Sequence, residues 1–319
     1  MSGQSAIRLG LIGVGRWGKN FVRTVASLDD VILSAVASRN PATAAFVPAG
    51  CRVVERWQEL VTCHDLDGVI VASPPHTHAE ILLAAIAAGK PVLIEKPLVQ
   101  SREQAKEIRA ALAKKPATIL VDHVHLFHPA FRGLQREAKV LGPIRGIESS
   151  AGNRGPYRRD ISVLWDWGPH DLAMCLTLVP GIARALRAEC LARQTIEQSI
   201  AESLALDLVL AGDVPAHVRL STLDDRHRWF AVSFARDVLV YQDAAEHQLV
   251  RFPSGADIHA GAGTPIPVDV EMPLTRAVRD FAQAIRADSK DRTSVDIGLA
   301  ITDLLGDFDD LLCLGHGKS

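Results

Sequence analysis

The chain has 319 residues, enough for two domains, and its 48% hydrophobic and 23% charged residues are ordinary for a soluble globular protein. A formal charge of −2 gives no electrostatic case for nucleic acid, and no uninterrupted apolar segment is long enough to span a bilayer. Residues Met1–Ala6 lead into the first strand without a charged segment and cleavage site, and the five cysteines are odd in number and lack metal-ligand spacing. The expectations are a cytoplasmic protein with free thiols, no metal, and neither a membrane nor a nucleic-acid partner.

Residues Ile7–Ile12 are apolar and read as a strand, followed at once by Gly13-Val14-Gly15-Arg16-Trp17-Gly18 and a helix-like stretch from Lys19 to Leu28. In that context the glycines form a dinucleotide fingerprint. Gly13 allows a tight turn, Gly15 lets the backbone approach a pyrophosphate, and Gly18 permits close packing of helix on strand. The helix N-terminus, with Arg16 and Trp17 beside it, offers N–H groups to the phosphates. A second strand, Val31–Ala37, follows at βαβ spacing. Proteins that grip a ribose 2′-hydroxyl place an acid roughly 20 residues past the glycines, whereas this chain has Ser38-Arg39. A hydroxyl beside a guanidinium suits a 2′-phosphate and points to NADP(H). NAD(H) stays open if Arg39 stacks on adenine or faces solvent.

Alternation continues with strands at Cys51–Val54, Gly68–Ala72, Pro91–Glu95 and Thr118–Val121, and helices at Arg56–Val61, Ala79–Ala88 and Glu103–Ala113. The expected fold is α/β, with a doubly wound parallel Rossmann sheet over residues 1–122 and ligands at its carboxyl edge. Ser73-Pro74-Pro75-His76-Thr77-His78 lies on that edge, and its prolines make a rigid turn into a helix. Ser73, Pro74, His76 and His78 are therefore expected to line the cofactor pocket, although each histidine serves equally well as a turn or capping residue. Glu95-Lys96-Pro97 ends a buried strand on the same edge and delivers an ammonium to a fixed place. Lys96 is the first candidate for a catalytic acid/base. A lysine that merely starts a surface loop is the alternative for Lys-Pro taken alone.

Beyond Asp122 the pattern changes, and residues 123–319 are expected to form a second domain for substrate binding and oligomerisation, with terminal helices that pack on its sheet or on the first domain. His123–Pro129 forms the crossover, Ala130–Leu141 a helix, Ile144–Ala151 a strand, and Asp166–Leu178 a helix. Asp166 and His170 are four residues apart and share one face of it. Leu204–Leu210, His217–Thr222, Trp229–Phe234 and Val238–Tyr241 read as strands, Ser254–Pro267 as an exposed loop, and Leu274–Ala287 and Val295–Leu314 as amphipathic helices. Arg154, Tyr157, Arg158 and Arg159 crowd one turn-rich loop. Arginines grip a diphosphate and a tyrosine stacks on a base or sugar, which suits a nucleotide-activated sugar. A solvated lid is the alternative. Of Trp165 and Trp167, one is expected to wall the sugar site and the other to join the core.

The spacing of Gly13-x-Gly15-x-x-Gly18, Ser73-Pro74-Pro75-x-x-His78, Ala88-Gly89-Lys90-Pro91 and Glu95-Lys96-Pro97 resembles the glucose-fructose oxidoreductase/inositol dehydrogenase/MocA family of NAD(P)-dependent oxidoreductases. Asp166-Trp167-Gly168-Pro169-His170-Asp171 is similar to that family's Asp-x-Gly-x-His helix, so the resemblance reaches both halves. It implies a Rossmann domain followed by an α/β domain with a mainly antiparallel sheet, a dimer or tetramer joined through that sheet, and a cis peptide at Lys96-Pro97. It also implies Lys96 and His170 in proton transfer, Asp166 orienting the sugar or its catalytic neighbours, and Glu95 and His123 near the nicotinamide. The activity implied is hydride transfer at a sugar hydroxyl or keto carbon, with a nucleotide-linked sugar as the favoured substrate. The alternatives are a free-sugar, inositol or diol dehydrogenase, or a protein that senses NAD(P) without turnover.

Overall fold

A computed structural model of the chain describes residues 5–196 and 198–316. Met1–Gln4, part of the N-terminal stretch considered above, lie outside them. Two compact units are present among the described residues: one holds residues 5–123 and 273–302, the other residues 124–272 and 303–316.

The first unit is built on β1 (Ile7–Ile12), β2 (Val31–Ala37), β3 (Arg52–Val54), β4 (Gly68–Val71), β5 (Val92–Glu95) and β6 (Ile119–Asp122), all parallel, in the order β3-β2-β1-β4-β5-β6. The helices between them are α1 (Gly18–Ala26), α2 (Gln58–Thr62), α3 (His78–Ala88) and α4 (Arg102–Lys114). Strands buried on both faces require apolar side chains at successive positions, and Val-Ile-Val in β4 and Val-Leu-Ile in β5 supply them. One face packs residues such as Leu60, Leu82 and Ile108 of α2, α3 and α4. The other packs Phe21 and Val25 of α1 with Val278 and Phe281. The strand order reverses beside β1, whose neighbours are β2 and β4, and this opens a crevice at the carboxyl edge. Helix ends obey local chemistry: Gly89 closes α3 at φ +71°, and Ser101 Oγ caps α4 by accepting from the Gln104 N–H at 3.2 Å.

In the second unit α5 (Pro129–Leu141), β7 (Gly146–Gly152) and α6 (Val163–Leu178) precede a run of strands: β8 (Arg184–Ile196), β9 (Ser199–Leu210), β10 (Val214–Ser221), β11 (His227–Ser233), β12 (Asp237–Gln242), β13 (Leu249–Pro253) and β14 (Thr264–Pro265). The eight-stranded sheet runs β14-β13-β12-β11-β7-β10-β9-β8 and is antiparallel except where β10 meets β7. Ala216, Val218 and Leu220 alternate inward with Pro215, His217 and Arg219 outward, the period of a half-buried sheet. The chain closes with α7 (Pro273–Arg286) and α8 (Thr293–His316), and both α7 and the first part of α8 belong to the first unit.

Most elements lie where expected, with four differences. β8 has no counterpart among the expected strands because its inward positions are only half-buried and its polar residues mask the alternation. β13 has none either, being only five residues long and ending on Pro253. α6 begins at Val163, three residues early, because Ser162 Oγ accepts from the Trp165 N–H and caps it. The loop at Ser254–Pro267 contains β14, which pairs with β13.

Candidate active site

At the carboxyl edge of the first sheet, Gly13 has φ +92°, and a Cβ there would lie 2.7 Å from the Ser73 backbone nitrogen. Only glycine fits. A Cβ on Gly15 meets nothing within 4 Å, so that residue borders open space at the mouth of α1. No side chain caps α1 and its first turn carries no acid, which leaves its positive end for an anion. Arg16 and Trp17 are exposed beside it. These residues fit a dinucleotide pyrophosphate.

The loop after β2 is held by its own hydrogen bonds. Ser38 Oγ lies 2.7 Å from Thr43 Oγ1 and accepts from the Asn40 N–H, while Asn40 Oδ1 accepts from the Ala42 N–H. Arg39 is exposed at the tip. Lys19 Nζ sits 4.0 Å above the centre of the exposed Phe46 ring, which braces the end of this loop against α1.

After β4, Ser73 Oγ pairs with Thr77 Oγ1 at 2.7 Å, and Pro74 and His76 are exposed. His78 behaves differently. Its buried ring points Nδ1 at the Pro97 carbonyl, 2.8 Å away, and Nε2 at the Ser73 carbonyl, 3.0 Å away. Burial lowers its pKa, so the ring is neutral and donates to one carbonyl at a time. His78 thereby ties the Ser73 loop to the Lys96-Pro97 corner, whose peptide is cis as the resemblance implies. Lys96 is half-buried at the end of β5. Glu95 and Asp122 stand beside it on β5 and β6 as register partners, both buried. Burial raises both carboxyls, Asp122 to about 7, against the pull of the Lys96 ammonium. His123 directly follows β6, buried, and desolvation helped by Lys96 pushes it down to about 3. It is a neutral imidazole.

In the second unit α6 presents Asp166 and His170 on one face, one turn apart. Pro169 removes an N–H between them, inside a helix that is otherwise continuous. Arg158 donates Nε and Nη2 to Asp160, at 3.0 and 2.6 Å, and Nη1 to Asp166 at 3.1 Å. The guanidinium is therefore spoken for by two carboxylates and orients Asp166. Arg154, exposed, pairs with Asp225 at 2.8 Å. Tyr157 is half-buried after the cis Gly155-Pro156 peptide. The His170 ring meets His125 edge-on at 5.1 Å, and His125 Nδ1 lies 2.8 Å from the Tyr241 hydroxyl. Behind them Asp171 and Arg228 form a buried pair at 2.9 Å. Neither tryptophan joins the core: Trp165 and Trp167 are both half-buried, and Trp165 Nε1 donates to Asp309.

The model of an oxidoreductase family with an NAD-binding Rossmann fold, Gfo/Idh/MocA, matches residues 7–123. A crystal structure of a protein from Magnetospirillum magnetotacticum MS-1, assigned provisionally as an oxidoreductase, superposes with a TM-score of 0.87 at 40% identity, covering 95% of this chain and 99% of that one. The chain belongs to the Gfo/Idh/MocA family. It is 33% identical over 144 residues to the inositol 2-dehydrogenase of Acidothermus cellulolyticus, across 44% of this chain and 42% of that protein. It is 28% identical over 183 residues to the UDP-N-acetylglucosamine 3-dehydrogenase of Acidithiobacillus ferrooxidans, across 54% of each. The chain thus spans about half the length of these curated relatives.

In this Gfo/Idh/MocA protein the first unit sets Gly13 against the Ser73 backbone and His78 against the Ser73 and Pro97 carbonyls, and the second sets Asp166 and His170 one turn apart on α6. What that reasoning missed are partners. Thr43 and Asn40 hold Ser38, and the dipeptide Asn40-Pro41 was a legible capping signal. Asp122, His125 and Tyr241 carried no motif, and only the register of the strands and the packing of rings bring them to notice. Among the described residues no group of three or more His, Cys, Asp or Glu side chains is placed to hold a metal ion, and no helix is long and apolar enough to cross a membrane.

Proposed function

We propose that this chain is an NAD(P)-dependent oxidoreductase that transfers a hydride between nicotinamide and a hydroxyl or keto carbon of a sugar carried on a nucleoside diphosphate. The observation that carries this reading is Lys96. It stands at the carboxyl end of β5, two strands from the glycine turn after β1, or roughly 10 Å along the sheet edge. Gly13, Gly15 and Gly18 would seat the pyrophosphate with Arg16 and Trp17 at its flank, and Ser73, Pro74, His76 and His78 would shape the pocket from the next loop. Ser38 and Arg39 would meet the adenosine ribose, and the lack of a carboxylate there favours NADP(H) over NAD(H). Glu95 and His123 would border the nicotinamide.

A bound nicotinamide supplies the hydride donor or acceptor. The protein's own task is the proton. Oxidation of CH–OH releases a hydride and a hydroxyl proton, and reduction returns both, so a side chain must exchange that proton with the substrate oxygen. Lys96 and His170 take this role, and Asp166, fixed by Arg158, orients the sugar. Arg154 and Tyr157 would contact the diphosphate and base, while Arg158, already engaged by Asp160 and Asp166, contributes through Asp166. The likeness to a UDP-N-acetylglucosamine 3-dehydrogenase supports a nucleotide sugar. A free polyol or cyclitol is the second reading, supported by the inositol 2-dehydrogenase likeness. Exposed Leu186, Leu191 and Ile200 on β8 and β9 support a homodimer or homotetramer through the second sheet, and five free cysteines fit a cytoplasmic setting.

Thermal shifts with NAD, NADH, NADP and NADPH, each alone and then with UDP or dTDP, test the binding half. NADP(H) should stabilise most and a nucleoside diphosphate should add to it. Preference for NAD(H) without a nucleotide effect would favour the polyol reading, and no shift with any dinucleotide would end both. Lys96→Ala and His170→Ala should each lower turnover on a keto-sugar nucleotide by about 100-fold or more while NADPH still binds. Full turnover in both variants removes the site assignment.

A further inference from the structure

Glu95 and Asp122 are the last residues of adjacent parallel strands and partners in register, so their side chains leave on the same face with their backbones roughly 5 Å apart. Glu95 is 8% exposed and Asp122 is 1% exposed. Among the described residues, no N–H or O–H donor meets Glu95 Oε1 or either carboxyl oxygen of Asp122. The Lys96 backbone N–H reaches Glu95. Two ionised carboxylates so placed would each lack solvation and would repel one another, a state that proteins avoid by retaining a proton. A single proton answers the whole arrangement: one carboxyl becomes a donor, the other an acceptor, and the short charge-assisted bond between them satisfies oxygens that nothing else reaches.

We propose that Glu95 and Asp122 share one proton and form a buried monoanion that acts as counter-ion and positioning pair for Lys96. Its use in catalysis rests on the assignment of Lys96 to proton transfer made above; the pair itself does not. The neighbouring ionisable groups agree. Burial raises both carboxyls and the Lys96 ammonium draws both down, the balance expected of a pair that keeps one charge. His123 next in line is held neutral, and His78, tied to the Ser73 and Pro97 carbonyls, is driven toward neutrality by burial, so neither adds a second cation. One negative charge opposite one ammonium leaves the strand ends close to neutral. It also gives the lysine a fixed electrostatic partner that is neither a hydrogen-bonding arginine nor water.

Infrared spectroscopy of the protein at pH 6 tests the shared proton, because exposed carboxylates are ionised there and a carboxylic-acid C=O stretch reports a retained proton. The wild type should show the band. Glu95→Gln and Asp122→Asn should each lose it, since an amide N–H replaces the proton and the remaining carboxylate keeps the single charge. Acylation of Lys96 by acetic anhydride, read by mass spectrometry against exposed lysines, tests the counter-ion role. Both single variants should label within twofold of the wild type, and the doubly neutral Glu95→Gln/Asp122→Asn should label roughly tenfold faster, as expected when a charged neighbour is lost from a partly buried site. No acid band in the wild type overturns the proposal without recourse to any variant. A single variant that labels well above the wild type but below the double means the wild-type pair holds two charges, a single variant that labels as fast as the double means the remaining carboxyl carries no charge, and a double that labels like the wild type means the pair holds none; each of these results also overturns it. Full turnover in Lys96→Ala would instead remove the catalytic assignment and leave the band in place.

Discussion

Two clusters of charged groups in this protein hold their carboxylates by opposite means. The two aspartates of α6 each meet an arginine: Asp171 meets Arg228 at 2.9 Å, and Arg158 bridges Asp160 and Asp166. At the ends of β5 and β6, Glu95 and Asp122 have no guanidinium between them and retain a proton instead. Ion pairing with arginine fixes geometry and is indifferent to pH across the range in which proteins work, because the guanidinium stays charged. Proton sharing leaves a group that responds to pH and to a neighbouring charge. The first arrangement suits a helix that must hold Asp166 and His170 in place, and the second suits the surroundings of a lysine that exchanges protons.

The sharpest way to break this comparison is at Arg228. Arg228→Met leaves Asp171 buried without a partner, which should lower stability by about 3–5 kcal/mol in urea unfolding. Asp171→Asn in the same chain should recover most of the loss, because the uncompensated charge and not the missing side chain is the main cost. If Arg228→Met alone is neutral, the pair at α6 is not the geometric lock described here.

The pH dependence of stability sharpens the contrast next. Asp122 is raised from 3.8 to about 7, so the folded protein holds a proton that the unfolded chain has released; this contribution is complete below about pH 4 and is lost as pH rises through 7. His123 is lowered from 6.5 to about 3, so the unfolded chain holds a proton that the folded one lacks; this contribution is complete above about pH 6.5 and is lost as pH falls toward 3. The two oppose one another between pH 4 and 6.5. Measured against the wild type from pH 4.5 to 6.5, Glu95→Gln/Asp122→Asn should gain roughly 2 kcal/mol and His123→Gln should lose a similar amount. Parallel profiles for all three proteins would mean that neither group changes its proton occupancy on folding.

The two clusters also differ in how far they could be read from the sequence. The carboxyl edge announced itself, since Gly13, Gly15 and Gly18 between a strand and a helix, and Lys96 at the end of an apolar run, each carry a local signal with a known physical cause. The strand β8 did not, because its half-buried alternation is broken by polar residues and by bulges near Ala185 and Cys190. The partners inside each site were equally silent. Asp122 lies 27 positions from Glu95 (122 − 95), and only parallel pairing of β5 with β6 makes them neighbours. Arg228 is 57 residues from Asp171 and Tyr241 is 116 from His125, so the pairs exist only through sheet topology. Sequence periodicity places a residue on a face; the register between distant strands decides what it faces.

Arg154 and Arg158 carry the comparison to its smallest effect. They are four positions apart in one loop, yet Arg158 is half-buried between two aspartates while Arg154 reaches only the exposed Asp225. A solvent-screened pair contributes little, so Arg154→Ala should leave the melting temperature unchanged within error, and its consequence should appear only in binding. If the loop grips a diphosphate, the same variant should lose much of the thermal stabilisation by UDP or dTDP while the stabilisation by NADPH is kept. Arg158→Ala should behave in the reverse order, since freeing Asp166 and Asp160 disturbs the start of α6 before it affects any nucleotide. A nucleotide response intact in Arg154→Ala and lost in Arg158→Ala would move the diphosphate contact to the arginine that is already paired, and the loop would then have to rearrange on binding.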